Sequence, residues 1–388
     1  MSPTLFSQSD IKDPYYVYKT MLEKHSIFWD DANQIWMIYS HEYCTKILNS
    51  PKVNIPAINP NNEQELNEYT LKIINHLSRL SNGIQHVIAK ETAMLLFANM
   101  KSIDINQIIA ELLDSRLTEN KIDWVDSVCK KLPVLVILKS FGFDQDDCKF
   151  ISKKIEHLVK IMHPNKSAKQ IQAINEISES SYSIIKKQLS NLSFYQPLLD
   201  KISESHQITL EETTTISVSN LIGLLIQSYD AGRGILSNSL LQIINNPNLI
   251  SKNNIDKTLI QKLVIETLRF DPPIHNTRRV AITDIILDKT VIKKNEILLL
   301  VLASANRDPK KFDDALSFNI ERINNNDNLT FGIGSHMCLA KYFSIHLTTE
   351  TLFYLLNNYK TITSLENNIQ YEPLINARLP KNIWISIQ

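Results

Sequence analysis

The chain has 388 residues, of which 43 % are apolar and 21 % charged, a composition that fits a folded globular protein and excludes a disordered or fibrous one. Its 41 basic and 41 acidic residues cancel, so no overall field draws it to nucleic acid or an anionic membrane. The opening MSPTLFSQSD lacks the basic start and apolar run of a signal peptide, and the uncharged stretch between Glu212 and Asp230 is interrupted by Thr, Ser, Asn and Gln. The expectation is a cytoplasmic protein with no nucleic-acid partner and no membrane span.

Taken in chain order, residues 13–25 have helical spacing, and IFWDD followed by IWMIY reads as two strands joined around Ala32 and Asn33. Residues 50–62, with three prolines, read as a loop, and helix resumes from Glu63. Asp123 to Phe141 is apolar at helical intervals around Trp124, Val128 and Leu132. The segment between His163 and Ala168 separates two further helices. A long helix is predicted from about Thr214 to Asn245, stopped by Asn246-Pro247, and another from Leu259 to Phe270, stopped by Asp271-Pro272-Pro273. The β-branched run RRVAITDIILDKTVIKKNEILLLV and residues 357–388 read as short strands. No linker or internal repeat divides the chain, which predicts one continuous, mainly α domain over residues 1–388 with small β-sheets.

Four cysteines, Cys44, Cys129, Cys148 and Cys338, are too widely spaced for a zinc motif. Of only seven glycines, four form the pairs Gly232/Gly234 and Gly332/Gly334. The second pair lies in FGIGSHMCLA, which precedes a helix with apolar Phe343, Leu347, Leu352 and Leu355. This predicts Cys338 at a helix N-terminus, where unpaired amides and the helix dipole favour thiolate. Such a sulfur suits a covalent nucleophile or the axial ligand of a haem iron, whereas an ordinary core cysteine is the plainer alternative. His336, two positions away, is poorly spaced to act as a base for it.

The stretch F-G-x-G-x-H-x-C-x-A resembles the haem-binding loop of the cytochrome P-450 family, with Ala340 where glycine is commoner. ETLRF, with Glu266 and Arg269 three residues apart, then Pro272-Pro273, Arg279 with Asp284, ANRDP (residues 305–309) and FNIER ending at Arg322 follow in that family's order. The resemblance implies the single-domain cytochrome P-450 fold, a triangular helical prism around haem b, with Cys338 as axial thiolate and Phe331 and Gly332 in the cofactor loop. It implies that Glu266, Arg269 and Arg322 form a buried structural network. Arg279 and His336 match positions that hold the haem propionates. His86 and Lys90 resemble the family's His-x-x-x-Arg element, with Lys in place of Arg, so a point contact replaces a two-pronged clamp.

By the same resemblance, LIGLLIQSYDAGRGIL supplies the helix over the haem's open face. Counting back from Pro247 and Glu266 puts the family's acid-alcohol pair on Asp230 and Ala231: the acid is kept and the alcohol lost. Ala231 cannot donate or accept a hydrogen bond, so water or substrate would complete a proton path through Asp230. Pairing of Asp230 with Arg233 is the competing reading. Gln227, Ile274, His275 and Asn276 are candidate substrate residues. The implied activity is a monooxygenase that uses O2 and electrons from a ferredoxin or flavodoxin with its reductase to oxidise a small organic, secondary-metabolite-type substrate, free, carrier-bound or itself a peptide. Peroxide-driven oxidation, dehydrogenation, oxidative coupling or a non-catalytic haem sensor or recruiting protein are the alternatives that Ala231 leaves open.

Overall fold

A computed structural model of the chain describes residues 4–57, 63–114, 119–163, 166–249 and 255–388. In chain order, α1 (Pro14–Lys24) is followed by β1 (Ile27–Asp30), β2 (Ile35–Ile38), α2 (His41–Leu48) and β3 (Val53–Asn54). Then come α3 (Glu68–His76), α4 (Gly83–Ala98), α5 (Ile105–Asp114), β4 (Lys121–Asp123) and α6 (Leu132–Ser140). The middle holds α7 (Gln145–Val159), α8 (Ala168–Ser190), α9 (Tyr195–His206), α10 (Leu210–Gln227) and α11 (Arg233–Asn245). The last third has α12 (Lys257–Phe270), β5 (Thr277–Ala281), β6 (Ile285–Leu287), β7 (Thr290–Ile292), β8 (Ile297–Leu300), α13 (Leu302–Ala305), α14 (Lys341–Asn358), β9 (Ile362–Ser364) and β10 (Trp384–Ile387).

The described residues fall into two compact units. One draws on Met1–Asn54, Ile105–Lys130 and Ala231–Gln388, the other on Ile55–Asp104 and Lys131–Asp230. The first contains every described strand. Its five-stranded sheet runs β1-β2-β8-β5-β3, with β2 parallel to β8 and the other neighbours antiparallel. Alternation sends Ile38, Leu298 and Leu300 to one core and Met37, Leu299 and Val301 to another, so the central strands are buried on both faces. Helix starts follow side-chain chemistry: Asp13 accepts the Tyr15 and Tyr16 amides ahead of α1, and Asp256 accepts the Leu259 amide ahead of α12.

The second unit is helical throughout its described residues. α10 buries Ile216, Val218, Leu221, Ile222 and Leu225 around most of its circumference, the pattern of a central helix. A Cβ at Gly223 would lie 2.7 Å from Leu77 Cδ2, so a larger residue there would require the Leu77 side chain to move. Asn220 of α10 then fixes the turn after α3, accepting the Ser78 amide (3.0 Å) and donating to the His76 carbonyl (2.8 Å).

Three elements differ from expectation. Within the predicted loop at 50–62, Val53 and Asn54 pair with Ala281 and Val280, because an extended segment can cap the sheet edge despite flanking prolines; residues 58–62 lie outside the described part. The predicted helix from Asp123 to Phe141 is a strand end, a π-turn (Val125–Cys129) and α6. The predicted helix from Thr214 to Asn245 starts earlier, at Leu210, and is interrupted by a π-turn at Ser228–Gly232.

Candidate functional site

The FGIGSHMCLA segment folds into a tight loop before α14. Gly332 (φ 64°) and Gly334 (φ 74°) both occupy left-handed backbone that other residues rarely adopt. A Cβ at Gly334 would stand 2.8 Å from the Leu48 carbonyl, so the loop packs backbone to backbone on the end of α2. The Cys338 amide donates to the Phe331 carbonyl at 2.9 Å and closes the loop; the Gly332 amide donates to Leu329 (2.8 Å). Phe331, Gly332, His336 and Cys338 are all half-buried.

Here the structure corrects the sequence reading. α14 begins at Lys341 with Ala340 as its cap, so Cys338 precedes the helix by two positions beyond the cap. Its amide is spent on Phe331 and is not one of the unpaired helix amides, and a dipole effect confined to the first turn is weakened there. The other three cysteines are buried thiols; burial pushes the Cys148 thiol up to about 11 and raises Cys44 and Cys129 as well.

Behind this loop in sequence order lies a buried ion cluster. Arg269 grips Glu266 with two prongs, Nη2 to Oε1 at 2.6 Å and Nε to Oε2 at 2.9 Å. Arg322 Nε adds a longer contact to Oε1 at 3.4 Å, and the Asn319 amide donates to the same oxygen at 3.0 Å. Two guanidiniums facing one carboxylate leave a surplus positive charge, which is spread over the carbonyls of Asn306, Ala315 and Ser317 from Arg269, and of Asp313, Asp314 and Ser317 from Arg322. Glu266 and Arg269 are wholly buried. Phe312, 5.4 Å from the Arg269 guanidinium, adds a cation–π contact.

Arg279, on β5, is also buried, yet no described carboxylate pairs with it. Its Nη1 reaches only the Thr277 hydroxyl (3.2 Å) and the Arg278 carbonyl (2.8 Å), and burial pulls the guanidinium down to about 10. In the helical unit, His86 and Lys90 share one face of α4. His86 is buried, and its Nδ1 donates to the Ser78 carbonyl at 2.8 Å, which fixes its tautomer when neutral.

Asp230 and Ala231 both fall in the π-turn, a distortion that recurs at functional sites. Around it Gln227 Nε2 donates to Gly223 O (3.0 Å), Ser228 Oγ to Leu225 O (2.9 Å), and Tyr229 to Glu156 of α7 (2.5 Å). Arg233 pairs with Glu372 at 3.3 Å. Asp230 lies within electrostatic reach of His163, raising it against the larger lowering effect of burial.

Of the expected substrate residues, Ile274 is half-buried, and Asn276 is buried with its amide on the Ile375 carbonyl (2.9 Å). His275 is wholly buried, its Nδ1 3.0 Å from the Tyr18 hydroxyl and its Nε2 3.3 Å from that of Tyr15. Both ring nitrogens are thus engaged by tyrosine hydroxyls. The sequence reading missed this cluster. It also includes Asp271, which accepts from Tyr15 (2.6 Å), and Arg307, stacked 3.5 Å above the Tyr15 ring and 3.6 Å from Phe270. The aromatic spacing of Tyr15 and Tyr18 on α1 was the available signal.

Against known proteins, residues 136–381 match the family model described as cytochrome P450. The chain belongs to the cytochrome P450 family. This P450 is 23 % identical to "Biotin biosynthesis cytochrome P450" of Bacillus subtilis (strain 168), with 98 % of each chain covered. It is also 23 % identical to "Cytochrome P450 monooxygenase PikC" of Streptomyces venezuelae, covering 84 % of this chain and 79 % of that one. The fold resembles that of P450BioI, solved in complex with a hexadec-9Z-enoic acid ligated acyl carrier protein, with a TM-score of 0.83 at 22 % identity over 98 % of this chain and 100 % of that one. CalO2 gives a TM-score of 0.84 at 16 % identity over 100 % and 99 %. The P450 is thus an oxidoreductase of the monooxygenase class, whose family cofactor is haem b on a cysteine thiolate. None of its described helices is long and apolar enough to cross a membrane.

Proposed function

We propose that the protein is a cytoplasmic haem-thiolate monooxygenase in which Cys338 is the axial ligand and the two units act as one domain. The observation that carries this reading is the half-buried Cys338 on a loop that two left-handed glycines and the Phe331–Cys338 hydrogen bond hold in one shape. Among the described residues no group of three or more His, Cys, Asp or Glu could hold a metal, so iron on Cys338 needs its other ligands from a cofactor. The residues fit a haem: Arg279 is a buried cation with no described acidic partner, which a propionate would neutralise. His336, His86 and Lys90 are the further propionate contacts, with His86 oriented by the hydrogen bond from Nδ1 to the Ser78 carbonyl.

When bound, the haem supplies reductive activation of O2 and insertion of one oxygen atom into a substrate bond. The chain's own task is then to exclude water, orient substrate and deliver protons. Asp230 is the carboxylate that passes protons inward, and Ala231, with a methyl group, cannot hold the relaying water. Substrate hydroxyl or an added water completes the route. Electrons come from a ferredoxin or flavodoxin with its reductase. The substrate is a small organic molecule of the secondary-metabolite type. A carrier-bound acyl chain is the second form, favoured by the likeness to P450BioI, which was solved with a loaded acyl carrier protein.

The test is the spectrum of the purified, reduced protein under carbon monoxide. A long-wavelength main band is expected for the wild type and none for Cys338→Ser; a wild type without that band ends the proposal. Turnover with a surrogate ferredoxin and, separately, with peroxide then distinguishes a monooxygenase from the peroxide-driven or sensor readings that Ala231 leaves open.

A further inference from the structure

Asn306 joins the ion cluster to the stem of the Cys338 loop. The residue is wholly buried at the end of α13, and its carbonyl accepts from Arg269 Nη1 at 3.0 Å. Its side chain faces the other way. Oδ1 accepts the Leu329 amide at 2.7 Å, while Nδ2 donates to the Thr330 hydroxyl at 2.9 Å and to the Leu268 carbonyl at 3.4 Å. Thr330 Oγ1 in turn donates to that Leu268 carbonyl at 2.5 Å. Both amide donors and the amide oxygen are therefore engaged.

Leu329 and Thr330 stand immediately before Phe331, whose carbonyl takes the Cys338 amide, while the Leu329 carbonyl takes the Gly332 amide at 2.8 Å. A shift at the stem is thus passed through two backbone hydrogen bonds to the cysteine. The rest of the stem is also pinned, since Asn328 Oδ1 accepts the Thr330 amide at 3.2 Å and Asn328 Nδ2 donates to Asn325 at 2.8 Å. We propose that Asn306 and Thr330 are positioning residues for the Cys338 sulfur, coupling its orientation to the Glu266–Arg269 cluster. Neither touches the reacting atoms. The inference rests on the reading of Cys338 as the haem ligand.

The test compares haem-loaded full-length wild type, Thr330→Val, Thr330→Ser and, as a control, Leu113→Ala, a cavity variant in the wholly buried face of α5. Thr330→Val keeps the side-chain shape but removes the hydroxyl; Thr330→Ser keeps the hydroxyl and loses the methyl. Two quantities are read: the rate at which the reduced carbon monoxide complex converts from its long-wavelength to its short-wavelength band, and the exchange protection of the Leu329 amide. In Thr330→Val, which removes both hydrogen bonds of the hydroxyl, the band is expected to convert at least about tenfold faster, with Leu329 protection reduced by a similar factor. Thr330→Ser and Leu113→Ala should melt earlier than wild type yet keep the wild-type conversion rate. The inference is overturned if Thr330→Val converts at the wild-type rate, or if the control accelerates conversion as much as the valine variant. A wild type that never forms the long-wavelength band removes the reading of Cys338 and this inference together.

Discussion

The cluster around Glu266 and the turn at Ser228–Gly232 handle charge in opposite ways. In the cluster one carboxylate is shared between two guanidiniums, and five backbone carbonyls absorb the remaining positive charge. Every partner is fixed, so the charge is immobile and can do no acid–base work. In the turn the helical hydrogen-bond pattern loosens to a π-turn, and the half-buried Asp230 sits beside an alanine and a glycine that offer no side-chain donor. The contrast teaches that burial with full satisfaction builds a support, whereas the proposed proton role of Asp230 needs a carboxylate on partly exposed, distorted backbone.

Three substitution experiments press on this contrast. Glu266→Gln should be the most damaging, because it leaves two buried guanidiniums facing a neutral amide; the loss is about 3–5 kcal/mol in urea unfolding, enough to unfold a marginal protein. A loss below about 1 kcal/mol would mean that the carbonyls alone carry the charge and that the cluster is no support. Asp230→Asn should lower coupled turnover about a hundredfold, the low end for a lost proton-transfer group. Unchanged turnover would assign the proton route elsewhere. Ala231→Thr sharpens the same point, since a restored alcohol should reduce peroxide leakage per electron consumed.

The smallest effect is expected from His275. Burial first, then the nearby charges of Arg378 and Arg307, hold its imidazole well below its ordinary value, and Tyr15, Tyr18 and Asp271 complete its surroundings. The folded state therefore keeps His275 neutral while the unfolded chain protonates it near pH 6.5. Its contribution is intact above that pH and declines as the pH falls below it, with a slope of up to about 1.4 kcal/mol per unit. The unfolding free energy measured between pH 7.5 and 5.5 should show this decline, and His275→Gln, although less stable throughout, should show a shallower one. His41 and His163, which burial also lowers, add to the slope in the same direction.

Local spacing made much of this legible. E-x-x-R on a helix places two side chains on one face, and the structure puts Glu266 and Arg269 in a two-pronged pair. The glycines of FGIGSHMCLA occupy left-handed backbone because a closed loop demands it. The π-turn that holds Asp230 and Ala231 was not legible in this way, since the run from Thr214 to Asn245 reads as one unbroken helix. What stayed hidden depends on partners distant in sequence. His275 read as pocket-lining by resemblance, from its place just after the Pro-Pro turn, while the tyrosines that enclose it lie 257 and 260 positions away. The exact helix start after Cys338 was equally hidden, since the amide of Cys338 is diverted to a carbonyl that only loop closure brings near.

The sequence by itself determined the periodicities that make helices and strands, the glycines that permit the sharp loop, and the family to which the chain belongs. Those depend on backbone sterics and side-chain spacing, which act over a few residues. Tertiary structure decided which charges are held and which remain usable: that Asn306 would reach both Arg269 and Leu329, that Arg279 would be buried without a described acid, and that His275 would be sealed between tyrosines. Desolvation and hydrogen-bond satisfaction exist only once distant segments have met, so no local pattern can specify them.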